Sequence, residues 1–154
     1  MEIKKAFNKN NETKISFEQL MELVGTTCNY KFCIVDENID DDLMKLAAEH
    51  GVDLTGFKHV IETSGVQHAE KRHGKSSKDR TPLTLEDYLL VLYIIKTRDK
   101  VRISTTKTRM RESMVFVYEK QIDSVFYYVE EIRSGKKSLA FQTMYKRPRK
   151  NPSN

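Results

Sequence analysis

The sequence predicts an α+β fold in which N-terminal helices are followed by a four-stranded antiparallel β-sheet. Two observations carry that class. Apolar residues recur at helical spacing up to about Asp99 and at alternate positions beyond it, so the hydrophobic period changes part-way along the chain. The strand-like runs after Asp99 also follow one another through short connections, the arrangement of an antiparallel meander. A third observation concerns partners. Met1 to Glu70 carries 7 Lys+Arg against 13 Asp+Glu, a net of −6, whereas Lys71 to Asn154 carries 20 against 9, a net of +11. A basic half of that strength suits a polyanion, of which nucleic acid is the commonest.

At 154 residues the chain is long enough for one ordinary core, and nothing in its length requires a second. It divides into a lead of residues 1–39 with a helix and a strand packed on the domain, a domain of residues 40–147, and a basic tail of residues 148–154. Met1 to Lys14 is rich in lysine and asparagine and reads as an extended lead. Ser16 caps a helix to Val24, with Phe17, Leu20, Met21 and Val24 as its apolar stripe and Gly25 as its end. Thr27 to Val35 reads as a strand. The acidic cluster Asp36 to Asp42 contains the cap of the next helix, marked by Leu43, Leu46 and Ala47 and stopped at His50-Gly51. Carboxylates there suit the helix dipole, and the spacing and terminal glutamate of a calcium loop are missing.

Gly56 to Gly74 reads as two short helical turns, the second from about Gly65 to His73 with Gly74 as a left-handed terminator. Lys75 to Arg80 is a cationic loop. Thr84 caps Leu85 to Lys96, which is apolar nearly all round and therefore expected to be the central buried helix. Val101 to Thr106, Met114 to Lys120, Val125 to Arg133 and Lys137 to Lys146 are the four strands, with a tight hairpin turn at Ser134-Gly135. Cys28 and Cys33 match neither a redox pair nor half a zinc ribbon and read as reduced core thiols. The longest apolar run, Tyr88 to Ile95, is too short to span a bilayer, and Met1 to Lys14 lacks a signal-like apolar stretch. A cytoplasmic protein without a membrane partner is expected.

Chemistry is concentrated in Phe57 to Gly74, which holds three of the four histidines. His68 and His73 stand five residues apart, about 140° around a regular helix, so they do not share one face. Lys71 and Arg72 do share the face of His68 and would lower its pKa, which suits a general base near neutral pH. His73 lies at the helix C-terminus, where the dipole favours a cationic ring. That suits a general acid or a phosphate contact, or simply a cap. His59 reads as a surface partner of Glu62 and His50 as another helix cap. A zinc site from His59, His68 and His73 has no family spacing behind it, and no cofactor is expected.

In the last strand, alternation puts Leu139, Phe141, Thr143 and Tyr145 on one face and Ala140, Gln142, Met144 and Lys146 on the other. Thr143 and Tyr145 would offer hydroxyls from a rigid strand, just ahead of the cationic run Lys146 to Lys150. Hydroxyls, histidines and cations together suit stabilisation of a phosphate in transesterification. Taken alone, Thr143 and Tyr145 are ordinary strand formers.

Helices before a four-stranded antiparallel sheet, the segment GVQHAEKRHG at 65–74 and the final LAFQTMYK at 139–146 resemble the phage-associated members of the superfamily that unites barnase, EndoU, the colicin tRNases and RelE. The resemblance covers roughly Asp40 to Arg147. It implies a metal-independent endoribonuclease: the ribose 2′-hydroxyl attacks the neighbouring phosphate and leaves a 2′,3′-cyclic phosphate and a 5′-hydroxyl end. On the matching motifs it makes His68, His73, Thr143 and Tyr145 the catalytic residues and Lys146 a phosphate contact. Lys71, Arg72, Lys107, Arg109 and Arg111 complete the expected RNA-binding set. RNA is then the partner, with a protein inhibitor as a second, in a toxin or mobile-element effector. The alternative is a non-catalytic nucleic-acid-binding protein, which needs the cations but not the histidines.

Overall fold

A computed structural model describes residues 32–75, 77–107 and 112–149. The expected helix from Ser16 to Val24, the start of the strand read from Thr27, and Cys28, Arg109 and Arg111 lie outside the described residues. The chain order is β1 (Phe32–Asp36), α1 (Asp41–Glu49), β2 (Lys58–Glu62), α2 (Thr63–His73), a 3₁₀ turn (Leu85–Leu90), α3 (Val91–Thr97), β3 (Lys100–Lys107), β4 (Glu112–Ile122), β5 (Ser124–Arg133), a 3₁₀ turn (Ser134–Lys136) and β6 (Ser138–Arg147).

The class is α+β, but β1 and β2 alternate with the helices instead of helices preceding the sheet, and the sheet is six-stranded and mixed, in the order β1-β2-β6-β5-β4-β3. The expected four-stranded sheet is therefore too small, although β3 to β6 do form an antiparallel meander at the expected places. Phe32–Asp36 and Lys58–Glu62 add two strands, and β2 pairs with β6 in parallel from Lys58↔Ser138 to Val60↔Ala140. Lys58–Glu62 had read as a helical turn. Its Val60-Ile61 pair is β-branched and buried, and the pairing of β2 with β1 on one side and β6 on the other outweighs a weak local preference.

Asp40 caps α1 as expected, accepting from Leu43 N–H at 3.0 Å, and the helix ends at His50 with Gly51 at φ +80°. Gly74 departs from expectation: its φ of −86° is not left-handed. Glycine is needed there because a Cβ would run into Glu70 of the preceding turn. The Leu85 to Lys96 segment is also different. It divides into a 3₁₀ turn and a short helix; Tyr88, Val91, Ile94 and Ile95 are buried with Asp87 at the edge, while Leu89, Leu92 and Tyr93 face outward. The sheet lies on one side of it only, so one stripe is enclosed. The tight hairpin expected at Ser134-Gly135 is a longer turn closed by Lys137 in the left-handed region.

The three described helices contribute to one core with the sheet: Leu43 and Ala47 from α1, Val66 and Ala69 from α2, Ile94 and Ile95 from α3, and Phe116, Tyr118, Phe126, Tyr128, Phe141 and Met144 from the strands. Each such side chain contributes about 1.5–3 kcal/mol when fully removed from water. Inside this core stands a polar cluster. Glu130, fully buried, accepts from Tyr118 Oη at 2.6 Å and Tyr128 Oη at 3.3 Å, and its other contact is His59 Nδ1 at 2.6 Å. His59 is thus a core residue rather than a surface partner of Glu62, which instead binds Arg133 at 2.6 Å.

Candidate active site

The site is set by how β6 ends. β2 leaves β6 after Ala140 and turns directly into α2, so α2 runs alongside the part of β6 that carries the polar residues. Gly65 permits this approach: a Cβ there would lie 2.7 Å from the Phe141 carbonyl oxygen.

A bulge in β6 then decides which side chains share a face. Val129 is opposite Thr143 but Glu130 is opposite Phe141, so Gln142 is an extra residue. Strict alternation had put Leu139 and Phe141 with Thr143 and Tyr145. The bulge breaks that phase: Leu139, Phe141, Met144 and Lys146 turn to the helices, and Thr143, Tyr145 and Arg147 turn to the outer face. Across the outer face the register aligns Lys100, Glu119, Tyr127 and Tyr145 in one row and Arg102, Val117, Val129 and Thr143 in the next.

His73, at the last turn of α2, meets this face. Its ring centroid is 5.2 Å from that of Tyr145, and its Nδ1 is 2.8 Å from Asp79 Oδ2. Arg147 lies with its guanidinium carbon 4.8 Å from the centre of the Tyr145 ring and one nitrogen 3.4 Å from Asp79 Oδ2. Tyr127 also stacks on Tyr145, with ring centroids 5.0 Å apart. An imidazole and a guanidinium thus share one carboxylate, and both lie against the Tyr145 ring.

Desolvation raises the pKa of Asp79, but the hydrogen bond and charge of His73, followed by Arg147, outweigh it and hold the carboxyl below its usual range. Burial pushes the Tyr145 phenol up despite the nearby Arg147, so it stays protonated and donates at neutral pH. His68 is exposed on α2, one and a half turns before His73. Its pKa is lowered, first by partial desolvation and then by Arg72, His73 and Lys71, in the direction expected from the sequence. Thr143 Oγ1 is buried with no hydrogen-bond partner among the described residues.

The remaining expected residues divide. Lys71 and Arg72 are exposed on α2 beside the histidines. Lys146 faces the core side, paired with Asp87 at 2.9 Å and lying over Phe126, so it does not share the face of Tyr145. Lys107 is at the far end of β3 from Lys100, paired with Glu112 at 3.8 Å. His59 is enclosed with Glu130 and does not join His68 and His73.

In the sequence nothing marks Asp79 or Tyr127, and Arg102 and Arg147 stand out only as members of the cationic stretches Lys96 to Arg111 and Lys146 to Lys150. Arg147 was detectable, since it is two residues beyond Tyr145 on a strand. Asp79 was not, because no periodicity governs the loop it occupies.

Residues 37–154 match the family model described as phage-Barnase-EndoU-ColicinE5/D-RelE like nuclease3. The chain belongs to this family. It is thereby a phage-associated nuclease-family protein, and the matched region contains β2, α2 and the whole β3–β6 meander. Neither the curated proteins nor the solved structures yield a match. Among the described residues of this nuclease-family chain, no helix is long and apolar enough to cross a membrane.

Proposed function

We propose that the protein is a metal-independent endoribonuclease that cleaves by attack of the ribose 2′-hydroxyl on the adjacent phosphate. The observation that supports this reading most directly is His73 held by Asp79 against Tyr145, with Arg147 alongside. With Nδ1 directed at Asp79, the Nε2 of His73 is left for the substrate. In the proposed reaction neutral His68 takes the proton of the 2′-hydroxyl, O2′ bonds to phosphorus, the bond to O5′ breaks, and His73 gives O5′ its proton. The products are a 2′,3′-cyclic phosphate and a 5′-hydroxyl. Tyr145 and Arg147 supply a fixed donor and a cation where negative charge grows on the phosphate, the term that usually contributes most in such sites. Lys71 and Arg72 stand where they can hold flanking phosphates. Such an activity fits a toxin or mobile-element effector, with a protein inhibitor as its natural counterpart.

The test is incubation with mixed RNA in EDTA, followed by analysis of the ends. Cyclic phosphate termini support the proposal; intact RNA with a gel shift would instead identify a binding protein. His68→Ala and His73→Ala should each reduce cleavage by about 10²–10⁴, the usual cost of a positioned acid or base. Cleavage by both variants at the parent rate would remove the histidines from the reaction.

A further inference from the structure

Past the tyrosine pair, the outer face continues into a cleft that the proposed reaction does not use. Its volume is about 550 Å³, and it is lined by Lys100, Val101, Arg102, Val117, Glu119 and Tyr127. We propose that this cleft is a nucleobase subsite that selects guanine in the nucleotide next to the cleaved linkage. The inference rests on the ribonuclease reading and adds a base preference to it.

Position comes first. Tyr127 stacks on Tyr145 at 5.0 Å with an interplanar angle of 19°, so the cleft begins beside Tyr145 and runs along the same cross-strand row. Glu119 is opposite Tyr127 in the β4–β5 register. Two strand spacings, about 10 Å, separate it from the β6 backbone at Tyr145, a distance one nucleotide spans. Tyr127 offers an aromatic surface on which a single-stranded base stacks, and Val117 adds an apolar floor. Lys100 and Arg102 are exposed cations at the same cleft and suit the phosphates on either side of that base.

Glu119 identifies the base. A carboxylate on a polyanion-binding face repels the backbone, so its presence calls for a ligand rich in donors. Its side chain is 32% exposed and its ion pair with Lys100 is long, 3.9 Å, which leaves the carboxylate oxygens able to accept from a ligand. Guanine presents two adjacent donors on its Watson–Crick edge, N1–H and the 2-amino group, and fills both oxygens. Adenine and cytosine each place one amino donor beside an acceptor nitrogen. Uracil sets its lone N3–H between two carbonyl oxygens, which face the carboxylate unfavourably.

The test maps cleavage sites on RNA for the parent, Glu119→Gln and Tyr127→Ala, with thermal unfolding as a folding control. The parent should favour guanine at the subsite by about 10- to 100-fold, the usual discrimination of a bidentate base contact. Glu119→Gln should abolish that preference while cleavage next to other bases changes little, and Tyr127→Ala should weaken the use of every base. A parent without guanine preference, or an unchanged preference in Glu119→Gln, overturns the subsite. Binding to 2′-O-methyl trinucleotides, which cannot react by this route, separates the two ideas. Tighter binding of the guanine trimer by the parent but not by Glu119→Gln supports the subsite even if no RNA is cut. Equal affinity for all trimers sinks it even if RNA is cut.

Discussion

His68 and His73 come from one helix but meet different surroundings, and their proposed roles follow from that difference. His68 is lowered by partial desolvation and by Arg72, His73 and Lys71, so it is neutral at lower pH than a free imidazole. If it takes the 2′-hydroxyl proton, the acid limb of the rate profile lies below about pH 6.5, the ordinary histidine value. Arg72→Ala removes one lowering charge and should move that limb to higher pH, which a pH–rate profile at saturating RNA would reveal; an unmoved limb would assign it to another group. Asp79→Asn weakens the anchor of the His73 ring and should slow cleavage by up to about 10²-fold, the scale of a small misplacement, with a changed pH profile and little change in KM. Thr143 offers a sharper contrast, because its buried hydroxyl has no partner among the described residues. Thr143→Val should be neutral or slightly stabilising in thermal unfolding. If the hydroxyl serves only as a strand former, the rate stays at the parent value as well.

The site is assembled by the contact of α2 with β6, and its legibility in the sequence differs between the two. The His68–Arg72 environment could be read because helical spacing is rigid, and β3 to β6 because alternation and short connections are local signals. The phase of β6 was misread because the Gln142 bulge is imposed by pairing with β5, which no single-strand pattern contains. β2 was misread for the same reason, since its strand partners come from both ends of the chain. The His59–Glu130 pair is invisible to spacing: the two are 71 residues apart. The close approach at Gly65 is equally tertiary and gives the prediction at this scale. A Cβ at 2.7 Å from the Phe141 backbone forces α2 to shift, so Gly65→Ala should cost about 1–3 kcal/mol by overpacking. It should also reduce cleavage by more than unfolding accounts for, because His73 moves with the helix. A variant as stable and active as the parent would mean that the helix tolerates displacement.

Among the described residues, the core lies on the helix side of the sheet, and Tyr145 and Arg147 project from its other side. Stability on the core side has a pH signature. Desolvation alone would lower the pKa of His59, but the charge and hydrogen bond of Glu130 raise it above the ordinary value. A raised folded pKa contributes stability that is fully present below about pH 6.5 and is lost as pH climbs through the folded value. His68, with a lowered pKa, acts only below that range. The melting temperature should therefore fall above about pH 6.5, and His59→Gln should be less stable but flatter there. The outer side predicts salt dependence. If about five phosphates are engaged, RNA affinity should fall by roughly two to three orders of magnitude between 50 and 200 mM salt. Charge alone does not say which cations matter, but position does. Lys100 and Arg102 border the cleft beside Tyr127, whereas Lys107 lies seven residues further along β3, about 23 Å away at strand spacing. Lys100→Glu and Arg102→Glu, each made singly, should thus weaken RNA binding and flatten its salt slope more than Lys107→Glu does. Equal effects from both ends of β3 would mean that RNA follows the whole basic half rather than the row of Tyr127 and Tyr145.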